Sequence, residues 1–296
     1  MLQLVLVLFH FFLVVGMNQT SFAVVNGKTL WTPNSDEERL ILQTTVRLVL
    51  IENGEVKPFC SGVAFGPGEA LSAGHCFRKD VVSQDALRKG HVFVETFDPE
   101  ASGKIKRVKV ASVDFKEDPH SDLALIRLAT DLPTRFSIPL AYSGCDEGTN
   151  MIAAGFGRDE HNKFTNLVKT ANYRELSMEE RDKLEQPITL SMNNRSEEWI
   201  VLKAQSSGKT CGGDSGGPIF CKSKGRLALA AINANINVGR QSIAPGEYPW
   251  NSFCQMANIL VGSRISSSMN LIERWRTSLQ PSTGNVIHNW ISTIVH

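Results

Sequence analysis

The chain has 296 residues, of which 42% are hydrophobic and 21% charged, a balance that supports a sizeable core and excludes disorder along most of its length. A formal net charge of +1, with no polybasic tract, excludes nucleic acid as the main partner, because polyanion binding requires a strong basic excess.

In chain order, residues 2–15 are almost continuously apolar, too short for a comfortable membrane span and placed where the h-region of a secretory signal stands. Ser21, Phe22 and Ala23 put small residues where a signal peptidase reads, so cleavage is expected after Ala23, giving a signal peptide over 1–23. The opening Met1, Leu2 and Gln3 carry no basic residue, which keeps an uncleaved anchor as the alternative. Short β-rich runs then follow at 45–51, 62–65, 91–96, 105–115 and 123–128, separated by turn formers such as Asn53-Gly54, Gly66-Pro67-Gly68 and Asp98-Pro99. Residues 131–144 lack periodicity and read as a crossover, after which strands are expected at 151–154, 169–173, 188–191, 218–221 and 227–233. Short strands with frequent turns predict an all-β barrel or sandwich. Helical signal is confined to 178–184 and to the tail, where Val286, Trp290 and Ile294 recur four residues apart within 285–295; 269–279 is the alternative final helix.

Six cysteines in an exported chain read as three disulfides, whereas in a cytosolic enzyme they would suggest metal or redox chemistry. Spacing alone leaves their pairing open.

The stretch Cys211-Gly212-Gly213-Asp214-Ser215-Gly216-Gly217-Pro218 sets one hydroxyl where the backbone turns tightly and leaves N–H groups pointing outward. That suits a nucleophile beside an oxyanion hole. Serine is a weak nucleophile at neutral pH, so a histidine base and an orienting carboxylate are required. His75, in Leu71-Ser72-Ala73-Gly74-His75-Cys76, and Asp122, in Ser121-Asp122-Leu123-Ala124-Leu125-Ile126, are the candidates. A lone His-Cys pair is ordinarily packed core and a lone Asp before an apolar run is ordinarily a turn or cap; the three segments together point to chemistry. Their order, His then Asp then Ser, excludes an esterase of the α/β-hydrolase type, in which the serine precedes the acid and the histidine. His91, His120, His161, His288 and His296 are expected at the surface or in packing roles, His120 alone lying close to Asp122 in sequence.

With these segments intact and in this order, the chain resembles the trypsin-like (chymotrypsin-fold) serine endopeptidases. The resemblance implies an all-β fold of two antiparallel six-stranded β-barrels, about 24–135 and about 144–296, with the active site between them and a short C-terminal helix. It implies that Ser215 attacks the scissile carbonyl, His75 moves the proton, Asp122 orients the imidazole, and the N–H groups of Gly213 and Ser215 form the oxyanion hole. It pairs Cys60 with Cys76, Cys211 with Cys254, and Cys145 with Cys221. Val24-Val25-Asn26-Gly27 resembles the mature amino terminus of the family, whose freed amine pairs with the aspartate beside the nucleophile, here Asp214. Relatives carry Lys or Arg before that terminus; here Ala23 precedes it, so export and activation are expected to be one cut.

Specificity departs from the family pattern. Lys209 stands at the pocket base, where an aspartate would select basic side chains, and either pairs with an acidic side chain of the substrate or turns away to solvent or an internal partner. Ile236, in Ala234-Asn235-Ile236, narrows the entrance where relatives have glycine, and Leu260 enlarges the far wall. Residues 237–253 read as an insertion beside the cleft, either a lid or a surface loop. No cofactor and no metal are expected; Asp98, Glu100 and Glu117 lie where some relatives bind calcium but form no assigned site. The expected partner is a protein or peptide substrate, without nucleic acid, without membrane after signal removal, for a monomer secreted to the extracellular or periplasmic space. Asn194-Arg195-Ser196 is a glycosylation sequon for a host that glycosylates. The rival class is a protease-fold binding protein with little or no turnover, supported only by the altered pocket.

Overall fold

The computed structural model describes residues 24–30, 32–98, 104–118, 121–132, 138–184, 196–237 and 254–277. The apolar run before residue 24, the expected strand at 188–191, Asn194, most of the insertion and the 285–295 tail lie outside the described residues.

A short strand, β1 (Lys28–Thr29), opens the described chain. Then β2 (Thr45–Glu52), β3 (Glu55–Gly66), β4 (Glu69–Ser72), β5 (Val92–Asp98), β6 (Lys104–Asp118) and β7 (Ser121–Leu128) close into a barrel in the order β2-β3-β4-β7-β6-β5. A second set, β8 (Met151–Gly155), β9 (Lys169–Glu175), β10 (Trp199–Ala204), β11 (Pro218–Ser223), β12 (Arg226–Asn237) and β13 (Ile259–Arg264), repeats that connectivity as β8-β9-β10-β13-β12-β11, with β11 returning to β8. All pairings within both barrels are antiparallel, and β1 adds to β9. Closure leaves no open sheet edge in either ring.

β-Branched and leucine side chains make these strands. Val46, Leu48, Val63, Leu71, Val92 and Val94 are fully enclosed in the first barrel, each contributing about 1.5–3 kcal/mol of burial. Leu123 to Ile126 of β7 are buried on both faces, because α4 (Ile265–Thr277) packs Ile265 and Ile272 into the same cluster. Among the described residues the last helix overlaps the 269–279 alternative, starting earlier and ending at Thr277, while 285–295 lies outside them. The helix expected at 178–184 is α3 (Met178–Asp182), begun by a capping box between Ser177 and Glu180. Two further helices, α1 (Asp36–Thr44) and α2 (Gln84–Lys89), have no counterpart among the sequence expectations, although Ser35 and Ser83 cap them. The same is true of strands β4, β10 and β13.

Disulfides join Cys60 to Cys76, Cys145 to Cys221, and Cys211 to Cys254. A buried ionic cluster links the first barrel to the loop before β9. Arg47 Nε donates to Glu95 at 2.7 Å, and Arg47 Nη1 donates to the Thr165 carbonyl at 2.9 Å and to Asn166 Oδ1 at 2.6 Å. Arg107 reaches the other oxygen of Glu95 at 2.8 Å. Removing one partner of a buried pair strands the other charge, so Arg47→Met is expected to cost about 3–5 kcal/mol in urea unfolding. A loss below about 1 kcal/mol would mean that Arg107 alone satisfies Glu95.

Candidate active site

β4 ends at Ser72 and runs into a single 3₁₀ turn, Gly74–Phe77, which carries His75; Cys76 is fixed to Cys60 of β3. Asp122 stands at the start of β7, opposite Glu117 of β6. The two elements meet twice. The His75 main-chain N–H donates to Asp122 Oδ1 at 2.8 Å, and His75 Nδ1 lies 2.7 Å from Oδ2. One carboxylate therefore holds both the backbone and the ring of the histidine. The Asp122 side chain is 8% exposed and that of His75 is 22% exposed, so the imidazole keeps an accessible edge. Asp122 is itself clamped by Ser263 of β13, whose Oγ accepts from the Asp122 N–H at 3.0 Å and donates to its carbonyl at 3.2 Å.

The nucleophile turn is seated on the first barrel. The Ser61 N–H donates to the Ser215 carbonyl at 2.8 Å, the Ser61 hydroxyl donates to the Gly213 carbonyl at 2.8 Å, and the same hydroxyl accepts from the Phe156 N–H at 2.9 Å. The Ser215 carbonyl lies 3.9 Å from Cys76 Sγ, next to His75 in the chain. Gly213 has φ +94, a conformation that side chains resist, and a Cβ there would collide with the Phe164 ring. Among the described residues neither the Gly213 nor the Ser215 N–H donates to a backbone carbonyl.

Asp214 points the other way, into the second barrel. It is fully buried, and its carboxylate accepts from the Gly157 N–H at 2.7 Å and the Cys211 N–H at 2.9 Å. Burial pushes its pKa up to about 7, against the pull of those two N–H groups and of the Lys169 charge. Gly155 permits the approach, since a Cβ there would strike the Asp214 carboxylate. Gly155→Ala is therefore expected to destabilise the fold by about 1–3 kcal/mol and to lower turnover, read by urea unfolding and kcat on one preparation. Full activity in that variant would show that Asp214 moves without disturbing the turn. Val24 is wholly buried, its carbonyl accepting from Gly27 N at 2.9 Å and from Lys169 Nζ at 3.2 Å. Val25 forms a β-bridge with Lys209 and packs on the Cys211–Cys254 disulfide.

The Trypsin family model matches residues 41–257. The chain belongs to the trypsin family. It is 28% identical to spermosin of Halocynthia roretzi over 192 residues, which is 60% of this chain and 47% of that protein. It is 27% identical to trypsin iota of Drosophila melanogaster over 171 residues, 56% of this chain and 65% of that protein. The aligned stretch thus spans under two thirds of either relative.

In this trypsin-family chain Lys209, expected at the base of a pocket, is partly buried; its N–H donates to the Val25 carbonyl at 2.9 Å and its ammonium donates to Asn258 Oδ1. Burial lowers its pKa from the usual lysine value. Leu260 is fully enclosed among Ile200 and Leu202, in register with Ile236 of β12. Position 234 is alanine, and Ser263 supplies a hydroxyl to Asp122 from the neighbouring strand. His91 and His161 are not fully buried and lie at a strand entry and a turn, while His120, His288 and His296 lie outside the described residues. Cys60, His75 and Cys76 come close enough to suggest metal ligation, but both sulfurs are committed to their disulfide. Ser263, Gly155 and Gly157 are not singled out by the sequence, because an isolated serine or glycine in or beside a strand carries no signal of its own.

Proposed function

We propose that this chain is a secreted serine endopeptidase in which Ser215 forms the acyl-enzyme, His75 is the general base and then the general acid, and Asp122 fixes the imidazole tautomer. The observation that carries it is the double hold of Asp122 on His75, with the Ser215 turn seated beside the same disulfide. Attack would place negative charge on the carbonyl oxygen, where the N–H groups of Gly213 and Ser215 receive it. Among the described residues no helix is long and apolar enough to cross a membrane.

Substrate choice is non-tryptic in this proposal. Lys209 repels basic side chains and offers an acidic one an ammonium whose present partner, Asn258, is uncharged. A peptide-library cleavage profile that includes acidic residues tests both parts: cleavage after acidic side chains supports the pocket, and cleavage after Lys or Arg removes it. No cleavage of any peptide favours the binding-protein reading, which the altered pocket supports.

We also propose that one cut after Ala23 exports and activates the chain, freeing the Val24 amine to pair with Asp214. Asp214 alone is a costly buried acid: with a folded pKa raised to about 7, its favourable contribution is complete below the unfolded value of 3.8 and is lost as pH rises through about 7. A freed amine reverses this. Its own pKa is expected to rise above the usual ~7.7–8.0, so its contribution is present below that range and disappears as pH climbs through the raised value. Activity should accordingly fall in alkali. An active Asp214→Asn variant with an unchanged alkaline limit, or an active form starting elsewhere than Val24 by amino-terminal sequencing, contradicts the pairing.

A further inference from the structure

Lys169 opens β9 and lies in register with Gly155 of β8 on one side and Thr29 of β1 on the other. Its side chain is 1% exposed, an unusual place for an ammonium. The ammonium donates to the Val24 carbonyl at 3.2 Å and lies 3.8 Å from Glu160 Oε2. Three acidic groups act on its charge: Glu160 and Asp159 from the turn after Gly157, and Asp214 from the nucleophile turn. Lys28, the cation on the adjoining β1, is instead engaged by Glu38. Burial lowers the Lys169 pKa and the three carboxylates oppose that shift.

The Val24 segment is tied by its carbonyl, and Gly155, the register partner of Lys169 on β8, is the residue whose Cβ would strike the Asp214 carboxylate, so the lysine starts from the strand position beside that buried acid. A buried anion with only neutral donors is expensive, and a fixed cation lowers that cost. We propose that Lys169 is a positioning residue of the oxyanion hole, holding the Val24 segment in place and balancing the Asp214 charge from inside the barrel. The proposal rests on the serine-endopeptidase reading and adds a second cation to the expected Val24 amine. It also gives Glu160 a role, since its carboxylate keeps Lys169 charged.

The test compares wild type, Lys169→Met, Lys169→Arg, Glu160→Gln and Asp214→Asn as processed, secreted proteins on one peptide ester substrate across pH. Lys169→Met is expected to lower kcat by about tenfold, short of the ~10²–10³ that losing an oxyanion donor costs, with KM changed less than about twofold. Its alkaline limit should move to lower pH, because only the Val24 amine then faces Asp214, and Lys169→Arg should restore part of kcat. Glu160→Gln should shift the alkaline limit downward with a smaller loss of kcat at pH 7 than Lys169→Met shows, and it decides the matter if Lys169→Met does not fold. Wild-type kcat and alkaline limit in folded Lys169→Met, or an unmoved limit in Glu160→Gln, overturns the proposal. If Asp214→Asn also matches wild type, the Asp214 reading itself has failed, which separates the two outcomes.

Discussion

Replacing Ser215 by alanine is expected to reduce kcat by about 10⁶ with little change in KM, because the hydroxyl makes its contribution only as the carbonyl is attacked. His75→Ala should cost a similar factor. The double variant should be no worse than either single one, since serine without its base and base without its serine are equally idle. The residual rate would be that of a pocket that still binds and a pair of N–H donors that still polarises the carbonyl. The turn itself should survive, because its seat on Ser61 uses the Ser215 carbonyl and leaves the hydroxyl out. Unfolding by urea therefore checks that lost activity is lost chemistry. A variant retaining more than about one percent of wild-type kcat would show that another group performs the attack.

Asp122→Asn carries the second largest expected effect, a fall of about 10⁴ in kcat, the size found for this change in triad proteases. The geometry explains it. Oδ1 accepts from the His75 main chain and Oδ2 faces Nδ1. An asparagine keeps its oxygen on the main-chain N–H and turns its NH₂ toward Nδ1, which must then accept. The proton of the neutral ring moves to the other nitrogen, the one needed to receive the serine proton. The fold should be nearly undisturbed, because Ser263 continues to hold the main chain at this position through its N–H and carbonyl. Activity within tenfold of wild type at neutral pH would mean that tautomer control lies elsewhere.

The candidate site residues stand out in the sequence more than the architecture around them does. His75, Asp122 and Ser215 lie in short local motifs whose meaning survives without tertiary context, and the turn around Ser215 needs glycines that are visible in print. Strands β2, β5, β6 and β7 can be read from β-branched runs between turn formers. β13 cannot, because Gly262 and Ser263 interrupt its apolar pattern at the point where the strand passes neighbouring barrel residues and Asp122. β10 is a buried run, Trp199 to Leu202, whose faces are both covered, so it lacks the alternation that marks a half-exposed strand. The final helix is ambiguous in sequence because both tail segments space apolar residues by helical turns; among the described residues Ile265 and Ile272 enter the core from the earlier one. The burial of Lys169 is invisible in the sequence, since a lysine in a strand reads as a solvated face until the strands on either side enclose it.

The repeated connectivity of the two barrels is equally hidden, because sheet order is set by closure and not by any residue pattern within a strand. What the fold adds to the motifs is position. β4, β7 and the 211–217 turn come from separate parts of the chain, and Ser61 and Ser263 tie the Gly213 and Asp122 backbones of one barrel to the other.

The most direct measurement is covalent labelling of the processed protein by a fluorophosphonate, with the modified residue mapped by mass spectrometry. One adduct on Ser215, lost in His75→Ala, is the predicted result; an unlabelled Ser215 in folded, correctly processed protein would contradict the account.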